Sequence, residues 1–245
     1  MVATIPTFTT EDLQDIQGFS LAGFNKDRQE AIFLRVNSPA GGQQFLAWLA
    51  PQVANALEVG TFNRLFSEIS ARTGKEPLVK ATWTAVMISA AGFQALGVPI
   101  TDLPAGNSAT AFSPGMAARA AEIGDVLEGD APQNWLPPFQ PGANLVHLAV
   151  LVASDDDFDF DRQVVAVTNM AVATGCEIVF QERGATLPLP LTGHEHFGFK
   201  DGISQPVITG YGPQPPATEP PAVAPGEFVL GYPDQSGTTV GTGTK

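Results

Sequence analysis

The sequence predicts an α+β protein built on a ferredoxin-like split βαβ, an antiparallel sheet with helices on one face. Three observations carry this. Four short segments alternate in polarity or are rich in β-branched residues. Helically spaced segments fill the gaps between them. The order is β, α, β, then a long excursion, then β, α, β, and two such units joined by a hairpin-like return close an antiparallel sheet.

The first strand covers residues 31–37. Residues 43–57 then place Phe45, Leu46, Leu49, Val53 and Leu57 at three- and four-residue intervals. Phe62, Leu65, Phe66 and Ile69 continue the pattern after Gly60, which predicts two consecutive helices. The second strand is expected over residues 80–89, and the excursion 92–142 holds the short helices that Pro99, Pro104, Pro114, Pro137 and Pro138 permit. An excursion of that length inside a domain usually has a task, such as walling a ligand pocket. The third strand covers 145–153. A helix then starts after Asp155, Asp156 and Asp157, buries a face from Phe158 to Ala171 and is stopped by Gly175, and the fourth strand covers 177–181. Beyond Pro206 the proline-rich composition reads as surface loop, and the chain ends in small polar residues. The expected organisation is an N-terminal arm at 1–24, a ferredoxin-like domain at 25–185, and a loop with the start of a connection at 186–245.

Twelve basic residues against 25 acidic ones give a net charge of −13, which repels nucleic-acid phosphate and anionic membrane. No stretch of about 18 apolar residues occurs, and the N-terminus lacks a basic segment followed by an apolar one. A soluble protein is expected, cytoplasmic or secreted as a mature form. The single cysteine, Cys176, sits in an apolar run and reads as a buried structural thiol.

Chemistry concentrates in residues 193–206, GHEHFGFKDGISQP. Glycines around Asp201 let backbone pass close to a flat ligand. Its apolar neighbours would desolvate the acid and raise its pKa toward a range useful for proton shuttling. The same dipeptide is also an ordinary Asp-Gly turn, and spacing alone leaves both readings open. His194 and His196, two apart, would face one side of an extended segment and could join Asp201 in a two-histidine, one-carboxylate iron site. His147, in an apolar strand, reads as a hydrogen-bonded core residue. The acidic run at 155–161 lacks the glycine and terminal glutamate of a calcium loop and is better read as an acid-rich helix start. Glycines at 231–243 have no phosphate-loop spacing.

The run 193–206 resembles the distal haem-pocket signature of the dye-decolourising (DyP-type) peroxidases, with Gly198, Asp201 and Gly202 in its GxxDG positions. Other stretches agree in order and spacing. They are Leu13 to Gly18 followed by Lys26 and Phe33-Leu34-Arg35, Trp83 to Pro99 with Phe93, Leu96 and Gly97, and Phe112 to Arg119 followed by Ile123-Gly124-Asp125 and Trp135. The resemblance covers nearly all of residues 11–233. It implies a haem b enzyme in which Asp201 takes a proton from hydrogen peroxide and returns it to the leaving oxygen, with dyes, phenols or other bulky organic reductants oxidised one electron at a time. Gly202, Ile203, Ser204 and Gln205 are the implied haem contacts, Phe199 a pocket wall, and His196 a hydrogen-bonding brace. In the family a distal arginine and the proximal histidine that ligates iron belong to a second ferredoxin-like half. No metal ligand is therefore expected in this chain, and its expected partner is that second half, on the same polypeptide or another. The alternative is a non-catalytic ferredoxin-like half or binding module that needs a partner chain for activity.

Overall fold

The computed structural model describes residues 8–75, 77–100, 111–126, 129, 131–142, 146–200, 205–215 and 221–239. Four strands, β1 (Arg28–Val36), β2 (Thr82–Ile88), β3 (Leu148–Ser154) and β4 (Cys176–Ala185), form one sheet in the order β2-β3-β1-β4. Every neighbouring pair is antiparallel. The split βαβ is therefore present, with the first strand of each unit at the centre of the sheet. In β1 the alternation works as expected: Ile32, Leu34 and Val36 are buried on one face while Ala31, Phe33 and Arg35 occupy the other. β3 buries Leu148, Val150 and Val152 on one face and Leu151 and Ala153 on the other, which is why it reads as a continuous apolar run. β4 runs past the predicted end at 181 because buried Glu30 holds its polar extension. The Glu30 carboxylate accepts from Gln181 Nε2 at 2.7 Å and from Arg183 at 2.7 Å.

The helical stretch after β1 differs from the expectation. α3 (Pro39–Leu49) starts with the Ser38 side chain accepting from Gly41 N–H and ends eight residues before Leu57. Pro51 lies in a single 3-10 turn, Ala50–Gln52, after which Asn55 caps α4 (Ala56–Thr73). The break comes at the proline, and Gly60 lies inside α4, where a Cβ would come within 3.0 Å of the Tyr211 hydroxyl. The last long helix, α8 (Asp157–Ala173), follows α5 (Ala90–Ala95), α6 (Gly115–Ala118) and α7 (Ala120–Ile123) of the excursion. Asp156 caps it by accepting from Phe158 and Asp159 N–H, both at 3.0 Å, a contact type worth about 1 kcal/mol. Gly175, at φ 74°, follows its C-terminus as predicted. Lys26, Arg28, Lys80 and Arg183 pair with Asp155, Asp157, Asp156 and Asp161, so the acidic run is a helix start tied to the sheet by cations.

α3 and α8 cover one face of the sheet around Ile32, Leu34, Phe45, Leu49, Leu148, Val150, Phe160 and Val167. Full burial of a side chain such as Leu34 contributes roughly 1.5–3 kcal/mol. Cys176 closes this core, and burial pushes its thiol up. The other face is divided. Val53 pairs with Thr84 of edge strand β2, Ala54 N–H donates to Thr84 O at 3.0 Å, the Gln17 side chain exchanges two 3.0 Å hydrogen bonds with the backbone of Val86, and α4 sends Val59 and Phe62 onto Trp83, Ala85 and Leu151. These contacts leave β2 little free edge. Within this cluster Lys26 Nζ lies 4.0 Å from the Trp83 ring centroid and 2.6 Å from Asp155. The remainder of the second face carries Phe33 and Phe180, met by Phe139 from the excursion at 5.2 and 6.1 Å.

A smaller cluster joins the two ends of the chain. Phe8 and Leu21, from beside α1 (Thr10–Asp15) and in α2 (Gly18–Leu21), pack with Ala56 and Ile208, and Tyr211, Val229 and Tyr232 close around them. Tyr211 donates to the Ala56 carbonyl at 3.1 Å, and burial pushes its phenol up to about 12. The stretch beyond Pro206, expected as surface loop, is thus anchored by Ile208 and by Ala224, which is 1% exposed.

Candidate active site

The segment leaving β4 folds back as a tight hairpin. His194 and Lys200 form an antiparallel bridge, Glu195 N–H donates to Phe199 O at 2.9 Å, and Gly198 N–H donates to Glu195 O at 3.0 Å. Gly198 has φ 94°, a conformation that glycine adopts without strain. The Glu195 carboxylate fastens the turn from inside. One oxygen accepts from Phe197 N–H and the other from Phe199 N–H, both at 2.8 Å. The turn holds both aromatic rings outward: Phe197 is 90% and Phe199 73% exposed.

Asp201, Gly202, Ile203 and Ser204 lie outside the described residues. Among the other predicted site residues, His196 and Phe199 sit together on this hairpin, both exposed, and Gln205 is exposed where the description resumes. His194 belongs to the bridge, with Nδ1 3.4 Å from Thr192 O. Because the chain turns at residues 196–198, the two-residue alternation of an extended segment does not apply to His194 and His196, which corrects the geometry expected for a paired-histidine site. Among the described residues no three His, Cys, Asp or Glu side chains cluster as metal ligands. His147 has a different task. Its backbone N–H donates to Leu34 O at 2.8 Å and its Nδ1 accepts from Val36 N–H at 3.0 Å, so the ring carries its proton on Nε2 and extends the β1–β3 pairing.

Sequence reasoning passed over Glu195. The signal that could have found it is an acid three residues before a glycine, in a segment too short to be a strand and flanked by turn residues.

Two concavities stand out among the described residues. The larger, about 970 Å³, is walled by the excursion and includes Phe112, Met116, Asp125, Trp135, Leu136 and Phe139. The long excursion therefore does line a cavity, of the size and apolar character that small-molecule sites have. The smaller, about 640 Å³, runs between α4 and residues 210–213, with Arg64, Glu68 and Tyr211 in its walls. No helix among the described residues is long and apolar enough to cross a membrane.

Residues 15–186 match the family model described as the DyP dimeric alpha+beta barrel domain. A dye-decolorizing peroxidase of Exidia glandulosa is 33% identical over 201 residues, covering 81% of this chain and 34% of that protein. One of Mycena epipterygia is 29% identical over 223 residues, covering 90% of this chain and 37% of that protein. The chain thus spans about a third of the length of these relatives. Among solved structures, an ancestral D-type dye decolorizing peroxidase superposes with a TM-score of 0.73 at 28% identity, covering 90% of this chain and 44% of that one. A dye-decolorizing peroxidase in complex with 2,6-dimethoxyphenol superposes with a TM-score of 0.68 at 27% identity, covering 93% and 46%.

Proposed function

The chain belongs to the dye-decolourising peroxidase family, and from that premise we propose that it is the distal part of a haem-dependent peroxidase. The reaction uses hydrogen peroxide to oxidise bulky organic reductants, dyes and phenols of the 2,6-dimethoxyphenol kind among them. The observation that carries this reading is the GxxDG run, Gly198 to Gly202, issuing directly from the clamped hairpin of a chain whose sheet matches the family's domain. The organisation proposed is an arm at 1–24, a ferredoxin-like domain at 25–185 and a distal loop at 186–245 that leads to a second ferredoxin-like half.

The described residues fit haem as a wall rather than as a ligand set. Phe197 and Phe199 present exposed rings on a hairpin whose centre, Gly198, has no side chain, which suits a flat apolar macrocycle. In this reading Phe199, His196, Gly202, Ile203, Ser204 and Gln205 hold haem b on its distal side, and the iron ligand comes from the second half. When bound, the haem supplies the redox chemistry between peroxide and the reductant. Asp201 moves the proton: its carboxylate takes it from one peroxide oxygen and delivers it to the oxygen that leaves as water.

Asp201→Asn in the haem-loaded protein tests the reading. Haem content should be retained while the peroxide-dependent change in haem absorbance slows by about 10²-fold or more, the ordinary worth of a positioned acid-base group. An unchanged rate would remove Asp201 from the mechanism. A second reading is a non-catalytic distal half that needs a partner chain for activity. A haem absorption spectrum taken with the intact mass of the purified protein separates the two. A haem band on a longer chain or a two-chain complex supports the peroxidase, and a 25.7 kDa chain without haem supports the dependent half.

A further inference from the structure

We propose that the cavity walled by the excursion binds a flat organic cation, a fused aromatic ring system carrying a charged nitrogen. Among the described residues its wall includes Phe112, Trp135 and Phe139, with Met116 and Leu136 beside them. Asp125 is the one charged residue in that wall, and no lysine, arginine or histidine joins it. None of residues 194–200 takes part, so the site is separate from the hairpin proposed as the haem wall.

The wall is held from behind. Phe112 meets Phe93 edge to face at 6.3 Å, and Phe139 is fixed against the sheet by Phe33 at 5.2 Å and Phe180 at 6.1 Å. Gln140 Nε2 ties the backbone that carries Trp135, donating to the Gln133 and Trp135 carbonyls at 3.0 and 2.8 Å. Asp125 sits in the turn that ends α7: Gly124 has φ 89°, and Asp125 N–H donates to Ala120 O at 2.9 Å. The turn uses the Asp125 backbone and not its carboxylate. Arg119, in the same stretch, is engaged by Glu122 at 2.9 Å, and among the described residues no ion pair takes up Asp125. Walls fixed in advance spare a ligand the cost of ordering them.

The charges choose the occupant. Aromatic faces attract cations, and a carboxylate beside them pulls the same way. The net charge of −13 gathers cations around the chain and repels anions. An anionic ligand, the carboxylated haem included, would bring its charge against an acid with no base to offset it. A volume of about 970 Å³ suits a fused-ring body better than a simple ammonium ion.

The experiment is isothermal titration calorimetry of the purified chain, without haem or peroxide, against N-methylacridinium, uncharged acridine at slightly alkaline pH, and acridine-9-carboxylate. The three share a ring system and differ in charge. N-methylacridinium should occupy a single site at least about tenfold more tightly than acridine, with the carboxylate weakest. Asp125→Asn should bring N-methylacridinium to within about threefold of acridine and leave acridine as it was. Asp157→Asn, which removes an exposed acid at the start of α8, should change neither, and Trp135→Leu should weaken N-methylacridinium severalfold. Equal affinities for the charged and uncharged rings, or no binding at all, would overturn the proposal. So would equal losses in the two aspartate variants, which would mean diffuse attraction by the net charge, or a Trp135 variant that binds like the parent. Should Asp125→Asn fail to fold, the order of the three probes on the parent decides. Because no peroxide is present, failure of the peroxidase reading would leave this result standing, and the reverse holds too.

Discussion

The hairpins at 194–200 and 233–239 share a backbone and differ in everything mounted on it. Each closes with an antiparallel bridge, places an acid at its second position and a glycine of positive φ at its fifth, and directs two N–H groups onto that acid. One displays Phe197 and Phe199 to the outside and is followed by Asp201; the other carries Ser236 and Thr238 and is followed by Val240. The difference separates what makes the shape from what makes the site. The acid and the glycine specify the turn, and they do so equally well where no chemistry is proposed. A claim about function must therefore rest on the side chains and on the residue that follows, not on the turn.

The shared glycine offers the strongest way to break this comparison. A methyl group at Gly198 or Gly237 would meet nothing within 4 Å, so replacement by alanine acts through backbone strain alone. The cost should be similar at both, roughly 1–2 kcal/mol, and should appear as similar drops in thermal midpoint. The reaction with peroxide should distinguish them: about tenfold slower or more in Gly198→Ala, and unchanged in Gly237→Ala. Equal losses of rate would mean that the first hairpin serves only stability.

A smaller effect is expected at the aromatic position. Phe199→Ala removes a ring that is 73% exposed in this chain, so folding should change little, whereas haem retention should fall severalfold if the ring walls the pocket. Its counterpart Thr238→Ala should leave haem retention as it is. Titration of the apo-protein with haem, followed by absorbance, measures both. A Phe199 variant that binds haem like the parent would leave the exposed ring without a function.

The sheet was the legible part of this protein. Alternation in β1 and the apolar run of β3 follow from their burial on one face and on two, so composition carried the answer. Helix boundaries were less so. The apolar spacing continues from Phe45 to Ile69 as though unbroken, and only Pro51 and the capping Asn55 say where the chain leaves one helix and enters the next. The anchoring of Ile208 against Phe8 and Leu21 could not be read, because it joins the two ends of the chain and nothing local marks it. His147 was legible as a hydrogen-bonded histidine, although it sits half-buried just before β3 rather than in the core. Glu195 was not, since its role is to satisfy main-chain donors that only the folded turn brings together.

The smallest effect sharpens the comparison from the side of the second hairpin. Hydrogen bonds from the Ser236 hydroxyl, and from the backbone at Thr238, Ser236 and Gly237, hold the Asp234 carboxyl below the usual aspartate range. A carboxyl depressed on folding contributes stability above its unfolded pKa and loses it as pH falls through the folded one. Asp156, at the start of α8, is lowered too, by the Asp159 N–H and Lys80 first, so acid weakens both places together. Replacing Asp234 by asparagine isolates its share. The parent should melt above Asp234→Asn at neutral pH, and the gap should close as pH falls below the ordinary aspartate range, while peroxide reactivity stays the same throughout. The absence of any gap at neutral pH would mean that the turn is held by its backbone bonds alone, and that the acid at its second position is dispensable in one hairpin and open to question in the other.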